Sequence, residues 1–218
     1  MKILIAELGV PDATTQFRRR LSAVADEIDV VVATRDPLPS LEGYHGLLLT
    51  GSGSSVYAPE PWMAPLAGWA LQGAADGVGV LGVCFGHQLL GWRLGGRVAK
   101  NERGPEHGTA SVELTEAGMV DPLFHGLPRQ LAVQQVHGDH LVEPPTATGT
   151  VRLAESEHTP WQAFRWHNVV GVQFHPEVDR NLLIEIIGDA PATHPCEDAP
   201  ESERVLHNWA RTLGDPRG

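Results

Sequence analysis

Apolar residues in this chain gather in short, nearly unbroken runs at positions 3–8, 28–33, 46–49 and 78–83. Runs of that kind suit central strands of a parallel sheet covered on both faces. Between the first two runs the period changes: Phe17, Leu21, Val24, Ala25 and Ile28 recur at helical spacing across 14–28. A second helical pattern covers 63–75, with Pro61 and Pro65 around its start. Alternation of strand and helix predicts an α/β sheet joined by right-handed crossovers.

The middle of the chain reads differently. Positions 109–114, 131–136, 150–154, 162–166 and 169–174 look like strands joined by short turns such as His167-Asn168, which predicts an antiparallel extension of the parallel sheet. A helix is expected over 182–187, then a Pro-, Ala- and acid-rich loop over 190–202. An amphipathic helix follows over 203–213, with Val205, Leu206, Trp209, Ala210 and Leu213 on one side.

Composition narrows the partners rather than the fold. The chain has 218 residues and a formal charge of −11, which argues against non-specific nucleic-acid binding. No apolar run approaches the roughly 18 residues of a membrane span, and the apolar start is too short for a signal peptide. Two cysteines, Cys84 and Cys196, lie far apart and form no secreted disulfide framework, so a reducing cytoplasm is the expected setting. Cys196 reads as an incidental surface thiol. The basic run Arg18-Arg19-Arg20 reads as a solvated helix face.

The chemistry begins at Gly82-Val83-Cys84-Phe85-Gly86-His87-Gln88, where an apolar strand gives way at once to a helical run. Such a corner pushes its central residue outward, and glycines two before and two after remove the side chains that would collide. The first free N–H groups of the helix, and the positive end of its dipole, then face the sulfur. This is a nucleophile elbow with sulfur in place of a hydroxyl. A cysteine nucleophile needs a base, and the base an orienting group. Gln173-Phe174-His175-Pro176-Glu177 supplies both: His175 closes a strand, and Glu177 is near enough to accept from its other ring nitrogen. The oxyanion of acyl transfer needs donors. The N–H of Phe85 is one candidate, and the small-residue loop Thr50-Gly51-Ser52-Gly53-Ser54-Ser55 suits a second.

Taken together, GVCFGHQ, TGSGSSV and QFHPEV resemble the class I (triad) glutamine amidotransferases, with the glutaminase domain of GMP synthase and its stand-alone look-alikes nearest in character. Leu94-Gly95-Gly96-Arg97-Val98, Gly104-Pro105-Glu106-His107-Gly108 and Val136-His137-Gly138-Asp139 extend the likeness, which spans about residues 3–187. The resemblance implies a flavodoxin-like three-layer α/β fold over 1–190, with 191–218 a C-terminal loop and helix packed on it. It also implies that Cys84 attacks the side-chain amide of glutamine, that His175 moves the proton and that Glu177 orients it. Oxyanion donors would be Phe85 with Ser52 or Gly51. Gln88 and the backbone of Val136, His137 and Gly138 would hold the glutamyl end. One departure is Gly51-Ser52-Gly53, where the family usually has Gly-Gly-Pro or Gly-Pro-Gly; the donor is a backbone group, so serine need not abolish it.

No cofactor or metal is expected: among 11 histidines, His87, His137, His140 and His175 lack tight ligand spacing, and His87 is expected to pack on the elbow helix. The expected partner is glutamine or a γ-glutamyl small molecule. Because 218 residues leave no room for a synthetase domain, the ammonia would go to a separate synthetase subunit. The alternatives are a stand-alone γ-glutamyl hydrolase, a catalytically idle binding or regulatory module, and a cysteine peptidase.

Overall fold

The computed structural model describes residues 1–214. In chain order its elements are β1 (Lys2–Glu7), α1 (Pro11–Leu21), β2 (Glu27–Val32), β3 (Gly46–Leu49), α2 (Met63–Ala75), β4 (Gly79–Val83), α3 (Phe85–Arg93), β5 (Arg97–Lys100) and β6 (Glu106–Leu114). There follow α4 (Glu116–Val120), β7 (Gln130–His137), β8 (Asp139–Glu143), β9 (Val151–Glu155), β10 (Ala163–Trp166), β11 (Val169–Val172), α5 (Arg180–Ile187) and α6 (Pro200–Thr212).

A nine-stranded sheet in the order β2-β1-β3-β4-β11-β10-β9-β6-β7 forms the middle layer. The strands from β2 to β11 pair in parallel, and those from β11 to β7 pair antiparallel, so β11 is the seam between the two halves. Alternation along each central strand divides its side chains between two cores, as a pleated sheet requires. Ile3, Ile5, Leu48 and Leu81 pack with Phe17 and Leu21 of α1 and Val205, Leu206 and Trp209 of α6. Leu4, Ala6, Leu47 and Val80 pack on the other face with Met63 and Leu66 of α2 and Leu89 and Leu90 of α3. This is the flavodoxin-like three-layer α/β arrangement with its antiparallel extension.

Two sequence expectations are corrected. The run 28–33 is a parallel strand but not a central one: among the described residues β2 pairs only with β1, and none of Glu27–Val32 is fully buried, Glu27 and Val30 being exposed. The helix expected across 14–28 starts at Pro11 and stops at Leu21. Val24 and Ala25 reach the core from a turn and Ile28 from β2, so a helical spacing of apolar residues continues through a chain reversal. Neither β5 nor β8, which form a separate antiparallel pair beside α3, was evident from hydrophobic pattern. No helix among the described residues is long and apolar enough to cross a membrane.

Candidate active site

Between the end of β4 and the start of α3 the chain turns on Cys84, which adopts φ 52° and ψ −103°. A positive φ in a residue with a Cβ costs about 1–3 kcal/mol and persists only where surroundings impose it. Here Cys84 N donates to Val172 O of β11 (2.9 Å), Gln88 N to Cys84 O (3.0 Å) and Gly86 N to Thr50 O (3.2 Å). The flanking glycines are steric necessities: a Cβ on Gly82 would stand 2.5 Å from the Gly86 backbone, and one on Gly86 2.5 Å from Leu49 O. His87 is fully buried and packs on Phe164 with ring centroids 5.0 Å apart. Burial first of all pushes its pKa down, to about 3, so it is a neutral packing group.

Past β11 the chain crosses toward β7, where His175 N donates to Gln134 O (2.9 Å). The His175 ring then turns Nδ1 onto Glu177 Oε1 at 2.8 Å, while Nε2 has no partner among the described residues. Burial acts to lower the His175 pKa, but the charge of Glu177 beside the ring opposes it, and the pKa stands well above its ordinary value. Glu177 is only 1 % exposed. Its backbone carbonyl accepts from Arg20 Nε at 2.6 Å, and Arg20 also pairs with Asp179 and Glu203.

Cys84, His175, Glu177 and Val136 line one cavity of about 440 Å³ with Gly51, Ser52 and Gly53. The loop lies close: a Cβ on Gly51 would be 3.3 Å from His175 Cε1 and 3.8 Å from Cys84 Cβ. Phe85 buries its ring against Trp62 and opens α3, where the first N–H groups have no intrahelical acceptor. A larger cavity of about 650 Å³, between Val120, Arg165 and Asn208, holds none of the chemically suggestive residues.

The remaining sequence-identified residues are arranged differently. Gln88 donates its side-chain amide to Asp139 O (2.8 Å) and Gln173 Oε1 (3.2 Å), and Gly138 O accepts from Asn101 N (2.8 Å). His137 turns away to Glu106, its Nε2 at 3.2 Å from Oε2, in a group that also brings His158 and His194 to the same carboxylate. Gln88, His137 and Gly138 are therefore absent from the cavity wall, which Val136 alone of that group joins. Burial lowers the His137 pKa. Among the described residues no group of three or more His, Cys, Asp or Glu has the arrangement to hold a metal ion. Both cysteines are free, and Cys196 is half-buried against Val178 and Leu183 rather than fully on the surface.

Residues 10–183 match the family described as Glutamine amidotransferase class-I. The chain belongs to that family. A GMP synthase [glutamine-hydrolyzing] from Thermomicrobium roseum is 39% identical over 155 residues, covering 67% of this chain and 27% of that enzyme. Gamma-glutamyl peptidase 5 from Arabidopsis thaliana is 28% identical over 149 residues, covering 67% of this chain and 59% of that protein. The chain thus spans about a quarter of that GMP synthase. A crystal structure of a glutamine amido transferase from Methylobacillus flagellatus has the same fold, with a TM-score of 0.76 at 22% identity over 100% of this chain and 96% of its own.

One residue beside this candidate site, Arg20, goes unrecognised in the sequence, and another, Asp139, is marked there only by its motif. Arg20 was assigned to a solvated helix face, yet it is 7 % exposed and grips the segment that carries Glu177. Asp139 accepts from Ser55 Oγ (2.6 Å) and Tyr57 OH (3.1 Å), tying the far end of the Gly51–Ser55 loop to β8. Arg20 sits at an i, i+3 spacing from Phe17 on α1, a faint signal that its face is inward; the motif Val136-His137-Gly138-Asp139 marks Asp139 but not its partners Ser55 and Tyr57.

Proposed function

We propose that this chain hydrolyses the γ-amide of glutamine, or of a γ-glutamyl compound, through a Cys84 thioester. The supporting observation is that His175 holds Nδ1 on buried Glu177 and leaves Nε2 free in the cavity it shares with Cys84. In the first half-reaction the sulfur bonds to the amide carbon, and the resulting oxyanion is met by the N–H groups of Phe85 and of Ser52 or Gly51. Each such donor is worth roughly 10²–10³ in rate. The C–N bond then breaks as His175 gives its proton to the leaving nitrogen. In the second, His175 takes a proton from water, the hydroxide adds to the thioester and the C–S bond breaks, releasing glutamate and the original sulfur. Glu177 keeps the imidazole oriented and balances its charge. We assign Gln88 and the backbone at Val136, His137 and Gly138 to the glutamyl end, with Val136 at the cavity wall and the other three set back from it.

The ammonia would pass to a separate synthetase subunit, a reading supported by the likeness to a GMP synthase. A stand-alone γ-glutamyl hydrolase is favoured by a different observation, the extension of the cavity beyond Cys84 to α1 and α5. Two free cysteines suit a reducing compartment such as the cytoplasm.

The test is to incubate the purified chain with glutamine and with γ-glutamyl dipeptides, follow glutamate and ammonia, and repeat with Cys84→Ala. Glutamate release that vanishes in the variant is expected. No turnover of any γ-glutamyl substrate, with no Cys84-dependent labelling by a glutamine-mimicking electrophile, sinks the reading. Glutamine turnover that appears only with a co-purified synthetase favours the subunit form.

A further inference from the structure

The cavity at Cys84 does not close behind the sulfur. It runs outward between the start of α1 and the more exposed side of α5, where Val10, Asp12, Leu182, Glu185 and Ile186 form its wall. A departing ammonia needs no more room than a water molecule, roughly 30 Å³. The cavity of about 440 Å³ takes the glutamyl part bonded to Cys84 as well as the leaving group. Of the groups proposed for the glutamyl end only Val136 lines the cavity, and none belongs to the α1 and α5 wall, so we place the leaving nitrogen on that side.

The character of that wall is specific. Val10 and Ile186 are 38 % and 47 % exposed, and with Leu182 they make an apolar strip. Asp12 and Glu185 are exposed carboxylates on the same wall, and among the described residues no lysine or arginine lines it. Of the three cations of α1, Arg19 and Arg20 pair with Asp179, and Arg20 also with Glu203, while Arg18 is not part of this wall. Buried Glu177, on the same cavity, keeps Oε2 without a partner among the described residues. An apolar channel that is net negative and ends in two free carboxylates favours an aliphatic chain tipped with a positive charge and disfavours an anionic one.

We infer that the cavity accepts γ-glutamyl amides of aliphatic diamines or polyamines, with the methylenes on Val10, Leu182 and Ile186 and the distal ammonium at Asp12 and Glu185. This rests on the reading of Cys84 as the nucleophile. The reaction balances as hydrolysis: the thioester forms at the γ-carbon, the C–N bond breaks, and His175 protonates the nitrogen so that the amine leaves with its distal charge unchanged. Water then releases glutamate.

The test compares kcat/KM of the whole chain for glutamine and for the γ-glutamyl amides of diaminobutane, pentylamine and aminobutyrate, which are cationic, neutral and anionic at similar length. The cationic amide is expected to exceed the neutral one by on the order of tenfold, from two exposed carboxylates of severalfold each, and the anionic amide to fall below both. Added salt shrinks the margin because exposed charges are screened. Asp12→Asn with Glu185→Gln brings the cationic-to-neutral ratio toward one; as a ratio within one preparation, it is insensitive to loss of folded protein. The inference is overturned if glutamine is hydrolysed but the cationic and neutral amides are used equally, or if the double variant leaves their ratio unmoved. Absence of glutamate release from every substrate, glutamine included, removes the proposed function itself and this inference with it.

Discussion

His175 Nδ1 and Glu177 Oε1 meet at 2.8 Å across a turn of two residues, and Arg20 holds the backbone of that turn by donating to the Glu177 carbonyl. The pair therefore sets the ring orientation locally, while α1 sets where the pair stands. Replacing Glu177 with Gln keeps the shape and removes the charge. The expected result is a kcat lower by roughly 10²–10⁴ with little change in KM. The His175 titration followed by NMR should move to lower pH, since the charge that raises it is gone. A raised histidine pKa stabilises the fold at pH below its ordinary value and loses that contribution as pH rises through the raised one. The stability gap between wild type and variant should accordingly be widest in acid and narrow with rising pH; a gap that widens with pH would contradict the assignment.

Arg20 brings α1, α6 and the Glu177 segment together. Arg20→Ala removes a buried guanidinium whose carboxylate partners remain partly solvated, so the loss is on the order of 2 kcal/mol. Urea denaturation measures it. Activity should fall further than Tm alone accounts for, because Glu177 loses its backbone anchor.

Gly86 has no space for a methyl group, since its Cβ would lie 2.5 Å from a backbone carbonyl; at Gly53 nothing lies within 4 Å. Gly86→Ala should cost about 3 kcal/mol or more, through displacement of α3 from β3, and Gly53→Ala less than about 1 kcal/mol. Equal melting temperatures for the two variants would show that the elbow yields more readily than its packing implies.

His87 is buried neutral, with a pKa pushed down to about 3. The unfolded chain binds a proton at this residue near pH 6.5 and the folded chain does not, so stability is complete above about pH 6.5 and drains away as pH falls toward the folded value. In His87→Leu that stretch of the stability-versus-pH curve should flatten. Chemical denaturation at a series of pH values, comparing the two proteins, reads the difference.

Trp209 lies in the same core as Leu48 and Leu81 although the family match ends at residue 183. Trp209→Ala should cost about 3–5 kcal/mol, the range for emptying a buried aromatic site. A thermal melt unchanged by this variant would mean that α6 is an appendage.

Physical reasons separate what was legible from what was not. β1, β3 and β4 are covered on both faces, so burial writes itself as apolar runs; α2 spans the expected 63–75. Edge position leaves no such mark: Asp29 within 28–33 pairs with Lys2 on the outer strand, and the apolar residues around it made the strand look central. The pair β5–β8 is short and carries Arg97, Lys100, Asp139 and Glu143, which obscure any alternation. At the site, the Cys84 corner and the His175–Glu177 turn were readable because each is built within a few residues. Arg20 and Asp139 act across the fold, on Glu177 and on Ser55 and Tyr57, and their partners are set by packing alone.

The seam strand β11 carries one more consequence. Its carbonyl at Val172 tethers Cys84, its end delivers His175, and it is the strand through which the two halves of the sheet are hydrogen-bonded together. It is also among the last strands to leave the ribosome. A nascent or heat-loosened chain lacking that insertion has a cysteine but neither the imposed corner nor the imidazole beside it. Chemistry in this molecule is thus a property of the completed sheet, and turnover serves as a gauge of global folding: under denaturant, activity and secondary structure should disappear together.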